Sequence, residues 1–268
     1  MIAFAKAHSY ALQMTSKRTI LITGAGSGIG RGLAENLARE GHLVVVTDLD
    51  EAAAKTVADQ IAEYGGEAQA LGLDVASDAS IADALTRVAR PVDVLINNAG
   101  LQHVARLESF PQDKWERLID VMLNGACRMT RAVLPAMREA GWGRIINMGS
   151  IHSLVASPYK SAYAAAKHGL LGFSKTIALE TADTDVTINT ICPSYVKTPL
   201  VEKQIEAQAR EHDMDEEAVI AEIMLKPMPK GAFITVEEIA GAAQFLMSPA
   251  ARNMTGQELV LDGGWTCR

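Results

Sequence analysis

The chain has 268 residues, 49% hydrophobic and 21% charged, enough apolar material for one large α/β domain with a full core and too much for a disordered or repeat protein. Lys and Arg total 25 against 32 Asp and Glu, a net charge of −7, which argues against a nucleic-acid partner because neutralising phosphates needs a basic stripe. Three scattered cysteines (Cys127, Cys192, Cys267) show no metal-ligand spacing and read as reduced thiols of a cytoplasmic protein.

No apolar run approaches the ~20 residues of a membrane span. The opening MIAFAKAHSYALQM carries one Lys and no small-residue cleavage site, so residues 1–14 are expected to be a loose extension rather than a signal peptide. From there strands and helices alternate. Thr19–Thr23 is a short apolar run ending in a glycine turn, and Ile29–Glu40 has helical spacing. Leu43–Thr47 is β-branched, Glu51–Tyr64 helical, 68–73 a strand, 77–90 a helix and Val92–Asn97 a strand. A long helix over Lys114–Ala140, a strand over Arg144–Gly149, a helix over Pro158–Thr181 and a strand over Val186–Ile191 follow. A helix over Val236–Leu246 and a strand over Glu258–Leu261 close the pattern. Strands apolar on both faces, separated by helices, give a parallel sheet covered on both sides in one domain, residues 15–268. The excursion at about 197–231 breaks the rhythm. Its second helix has a start signal in Asp213 and Glu216, and its place after a strand end reads as a lid over a ligand site.

Gly24, Gly26, Gly28 and Gly30 lie between the first strand and its helix, where glycine lets backbone approach a pyrophosphate and the helix end favours the anion. Asp48, ending the second strand, is placed to accept both adenosine ribose hydroxyls and to repel the extra phosphate of NADP, so NAD is the expected cofactor. Tyr163 and Lys167 are one helical turn apart; a nearby cation favours phenolate and lets tyrosine exchange a proton with an alcohol or ketone oxygen. Lys160 continues that face and suggests an anionic ligand.

With Thr23-Gly24, Gly28-x-Gly30, Asp74, Asn97-Asn98-Ala99-Gly100, Asn124, Ser150, Tyr163-x-x-x-Lys167, Pro193 to Thr198 and Asp262-Gly263, the chain resembles the short-chain dehydrogenase/reductase family over residues 17–265. The resemblance implies a doubly wound Rossmann-type fold with a seven-stranded parallel sheet, and a homotetramer. It implies Tyr163 as general acid/base, Lys167 lowering its pKa, Ser150 polarising the reacting oxygen, and Asn124 holding a water that relays protons from Lys167. It places Gly24, Ser27, Gly28, Ile29, Gly30, Asp48, Asp74, Val75, Asn98, Gly100, Pro193, Val196 and Thr198 on the cofactor, and implies no metal. Within the family, the stretches NNAGLQHVA, GWGRIINMGSIHSLVASPYKSAY, TPLVEKQI and DGGWT are similar to the bacterial D-3-hydroxybutyrate dehydrogenases. By that likeness Gln102, His152, Lys160 and Gln204 gather a small carboxylate, Trp265 walls its methyl end, and Tyr195 replaces a tryptophan, leaving extra room. Reductases of 3-oxoacyl thioesters, polyol dehydrogenases and a non-catalytic dinucleotide sensor are the competing readings.

Overall fold

A computed structural model describes residues 17–198, 201–202, 205–206, 209–210 and 213–267; the expected extension at 1–14 and Gln204 lie outside the described residues. Seven strands form one parallel sheet: β1 (Thr19–Thr23), β2 (Leu43–Asp48), β3 (Glu67–Gly72), β4 (Val94–Asn97), β5 (Trp142–Met148), β6 (Asp185–Pro193) and β7 (Glu258–Leu261), in the order β3-β2-β1-β4-β5-β6-β7. The order reverses between β1 and β4, leaving a crevice at the strands' carboxyl ends where such sheets bind ligands.

Alternation along each strand assigns its residues to two cores. Ile20 and Ile22 of β1 and Val44 and Val46 of β2 face one, with α1 (Gly28–Arg39), α2 (Glu51–Glu63) and α8 (Val236–Met247); Leu21 and Val45 face the other, with α3 (Asp78–Arg87), α4 (Gln112–Ile119), α5 (Gly125–Ala140) and α6 (Ser161–Glu180). Ile20, Leu21, Ile22, Val44, Val45 and Val46 are all fully buried, which explains why both strands read as continuous apolar runs. The sequence-predicted fold class stands.

Three local expectations change. The long helix at 114–140 is two helices joined by a wider π-type turn over Asp120–Asn124, where the Gly125 N–H reaches back to the Asp120 carbonyl. The helix expected from Pro158 starts at Ser161, because Tyr159 takes a left-handed φ of 67°; Lys160 therefore stands at the N-cap rather than within the helix. In the excursion, Asp213 has φ 50° and Asp215 is the cap, its carboxylate accepting from the Ala218 N–H at the start of α7 (Glu216–Ala218).

Candidate active site

The turn after β1 shapes the first half of the site. Gly24 and Gly28 take positive φ values of 62° and 54°, cheap only for glycine. Gly30 has a different duty: a Cβ there would lie 2.4 Å from the Gly24 carbonyl oxygen and 2.5 Å from Asn98 Nδ2. Gly30 thus permits close packing of α1 on the turn. Asn98 staples the same turn to β4, its amide donating to the Thr23 and Gly24 carbonyls at 2.9 and 3.0 Å. Asp48 Oδ2 accepts from the Gly26 N–H at 2.9 Å, so the carboxylate is fixed at the end of β2. Ser27 caps α1 without a side-chain hydrogen bond, which leaves the helix's leading N–H groups to an outside acceptor.

These residues open onto a groove of about 370 Å3 running along the carboxyl ends of β1, β2 and β4. Gly24, Ser27, Gly28 and Ile29 line one end with Asp48; Asp74 and Val75 line the far wall; Asn98, Gly100 and Thr198 line the middle; Tyr163 and Lys167 close it. The cradle suits a dinucleotide: a side chain at Gly26 would meet Asp48 Oδ2 at 2.9 Å, and the positive end of α1 faces the groove. Pro193 and Val196, assigned to the cofactor from sequence, line the adjoining pocket, which shares Ile29, Gly149, Tyr163 and Thr198 with the groove. Arg117, which the sequence reading missed, lines the groove beside Asp74, 3.6 Å from its Oδ1; its place on the amphipathic α4 was the available signal.

That neighbouring pocket holds about 110 Å3 and shares Ile29, Gly149, Tyr163 and Thr198 with the groove. Gln102, Ser150, His152, Lys160 and Tyr195 line it. Lys160 is 6% exposed, its Nζ 3.4 Å from His152 Nε2 and 5.5 Å from the centre of the Tyr195 ring. Trp265 stands behind the lining, its ring 5.9 Å from Tyr195 and 6.1 Å from His152. Burial pushes the Lys160 ammonium below its ordinary pKa; burial and then Lys160 lower His152 to about 4, so the imidazole is neutral at neutral pH.

Tyr163 projects from α6 where the cavities meet, edge-on to His152 at 6.1 Å between ring centres, with Ser150 beside it in the lining of the same pocket. Lys167, one turn on, donates to the Met148 carbonyl at 2.6 Å, with its Nζ 5.6 Å from the centre of the Tyr163 ring. The expected lowering of the tyrosine pKa is opposed by burial. Burial dominates, raising Tyr163 above the phenol range and bringing Lys167 down to about 8.

Asn124 does not join them. It is exposed and donates to Asp120 Oδ1 at 3.2 Å, so its proposed relay role is corrected. The inward position is Met122, 2% exposed and lining the groove. Leu118, Met122, Gly125 and Met129 make the buried stripe, and two residues beyond Met122 a helix faces roughly the opposite way.

The profile of the short chain dehydrogenase family matches residues 18–209. This chain belongs to that family. A D-beta-hydroxybutyrate dehydrogenase from Rhizobium meliloti (strain 1021) is 46% identical, covering 94% of this chain and 99% of the relative. Another enzyme of that name, from Cupriavidus necator, is 44% identical, covering 95% and 100%. A solved structure from Beutenbergia cavernae, described as an NAD(P)-dependent gluconate 5-dehydrogenase with NADP bound at low occupancy, superposes with a TM-score of 0.84 at 35% identity, covering 94% and 97%. The chain is a short-chain oxidoreductase, and among its described residues no helix is long and apolar enough to cross a membrane.

Proposed function

We infer that this short-chain dehydrogenase oxidises D-3-hydroxybutyrate, or a close small 3-hydroxy acid, reversibly to the 3-oxo acid with NAD. The observation that carries this is the buried Lys160, flanked by His152 and Gln102 in a pocket whose wall includes Tyr163 and Ser150. A reacting carbon beside Tyr163 and a carboxylate beside Lys160 describe a short hydroxy acid. Among the described residues the Lys160 ammonium has no acidic partner, and such burial is costly until an arriving anion offsets it.

NAD, when bound, supplies the acceptor for the hydride leaving C3. Asp48 accepts from ribose hydroxyls and disfavours a 2′-phosphate, which supports NAD over the NADP of the structural neighbour. Ser150 donates to the reacting oxygen while Tyr163 takes the hydroxyl proton; in reduction Tyr163 returns it. Lys160 and Gln102 fix the carboxylate, and Gln204 on the proposed lid at 197–231 adds an amide when the lid closes. The raised Tyr163 pKa favours reduction at neutral pH, so oxidation speeds up as pH rises into the alkaline range. The enzyme is assigned as a cytoplasmic homotetramer.

Initial rates at 340 nm with NAD or NADP against D and L acids, longer 3-hydroxy acids and their CoA esters test the assignment. NAD with the free D acid is expected to lead, and Tyr163→Phe to lose on the order of 100-fold or more in kcat while still binding NAD. Use of CoA esters without the free acid overturns the substrate; preference for NADP overturns the cofactor.

A further inference from the structure

A third, much smaller cavity touches Lys167 and shares no lining residue with the carboxylate pocket. Space for the centre of a water-sized sphere is about 10 Å3, roughly what one water needs. Among the described residues, its polar side chains are Thr23, Asn97 and Lys167; the rest of the lining, Met122 included, is apolar or glycine.

Asn97, at the end of β4, is 7% exposed. Its Nδ2 donates to Asn147 Oδ1 at 2.8 Å and to Thr130 Oγ1 at 3.3 Å. That orientation is fixed by its neighbour: Asn147 Nδ2 donates to Ser174 Oγ at 2.9 Å, so Asn147 Oδ1 must accept. Asn97 Oδ1 is therefore the acceptor left over, and it is buried without a protein partner. Lys167 has three N–H donors and places one on Met148. Thr23 Oγ1 already accepts from the backbone N–H groups of Asn98 and Ala99, which leaves its hydroxyl proton to give. Donors and an unmatched acceptor around a one-water space are the conditions under which buried water is held.

We propose that Asn97 holds a water against Lys167, and so takes the proton-relay position that Met122 and the outward-facing Asn124 leave without an amide. The inference rests on the dehydrogenase reading of Tyr163 and Lys167. The water accepts from Lys167 Nζ and donates to Asn97 Oδ1. After Tyr163 has taken the substrate proton, one proton leaves Lys167 for the water as another arrives from the tyrosine side. The water passes one of its own protons to solvent, so ammonium and neutral water are both restored. Asn97 touches no substrate and is a positioning residue.

A crystal structure of the cofactor-free wild type should show one water within hydrogen-bond distance of Lys167 Nζ and Asn97 Oδ1, lost in Asn97→Ala; no such peak in the wild type overturns the proposal. In kinetics, Asn97→Ala should lower kcat roughly tenfold, a fraction of what proton transfer contributes, with KM unchanged and a displaced pH profile. Adding Met122→Asn, which puts an amide on the inward face of the same helix, should restore most of the loss. A folded Asn97→Ala with wild-type kcat and pH profile, or a loss that Met122→Asn does not recover, refutes the relay role. If Asn97→Ala does not fold, the wild-type water decides. A wild type that holds the water but oxidises no hydroxy acid fails the dehydrogenase reading instead, so the two failures are distinct.

Discussion

Two basic side chains, His152 and Lys160, share one buried pocket with no acidic residue in its described lining. His152 Nε2 faces the lysine, and Nδ1 is buried without a protein partner. An imidazolium beside the ammonium would be doubly penalised, by desolvation and by repulsion, which is why His152 falls to about 4. The unfolded chain titrates its histidines near ~6.5. Between those values the unfolded state binds the extra proton, so stability is full above about pH 6.5 and is lost as pH drops through 4. The shift corresponds to about 3 kcal/mol at most. Denaturant melts across pH 7 to 4 should show His152→Asn losing less stability than wild type over that window; parallel curves would mean the ring binds its proton equally in the folded and unfolded chain. The same neutral ring keeps a hydrogen-bond acceptor beside Lys160, orienting the ammonium toward an incoming carboxylate.

Strands and helices separate the work of folding from the work of catalysis, because the site occupies the carboxyl ends of the strands and their opposite ends are tied by charge. Arg144 of β5 is 2% exposed; it donates to the Asp185 carbonyl at 2.7 Å and to Asp185 Oδ1 at 3.1 Å, while Arg252 donates to the other carboxylate oxygen at 2.9 Å. Asp185→Ala leaves a buried guanidinium without its counter-charge, a loss of about 3 kcal/mol. Thermal melts should register that loss while kcat at 25 °C stays within about twofold, since no site residue touches this end. A collapse of kcat in a folded variant would show the two ends to be coupled. Much of this layout is visible in the residues. Leu43–Thr47 can only be a strand buried on both faces, and Ile29, Leu33 and Leu37 fall on one face of a helix. Tyr163, Lys167, Ser150, His152, Gln102 and Tyr195 do converge on the two cavities. Side-chain periodicity conveys less where the backbone departs from regular geometry. The π-type turn at Asp120–Asn124 and the left-handed Tyr159 interrupt that periodicity, so regular helical spacing misplaces Asn124 and sets Lys160 in the first turn of a helix.

At the scale of the molecule, a net charge of −7 opposes self-association, so the proposed tetramer must be held by apolar contact. Two large apolar side chains stand out on helices away from the cavities: Leu179 near the end of α6, 80% exposed, and Phe245 on α8, 43% exposed. Burying such a side chain contributes about 2 kcal/mol, and across a two-fold interface every residue counts twice. One substitution therefore weakens an interface by more than it destabilises the subunit. Light scattering is expected to give a mass of four chains for the wild type, and Leu179→Glu with Phe245→Glu to lower it. The drop should be larger at low salt, where the repulsion between acidic subunits is least screened. Thermal unfolding of the separated subunit should stay cooperative, because both side chains lie outside the two buried cores. A wild type that runs as a single chain at every ionic strength would remove the tetramer and leave these two residues as ordinary surface.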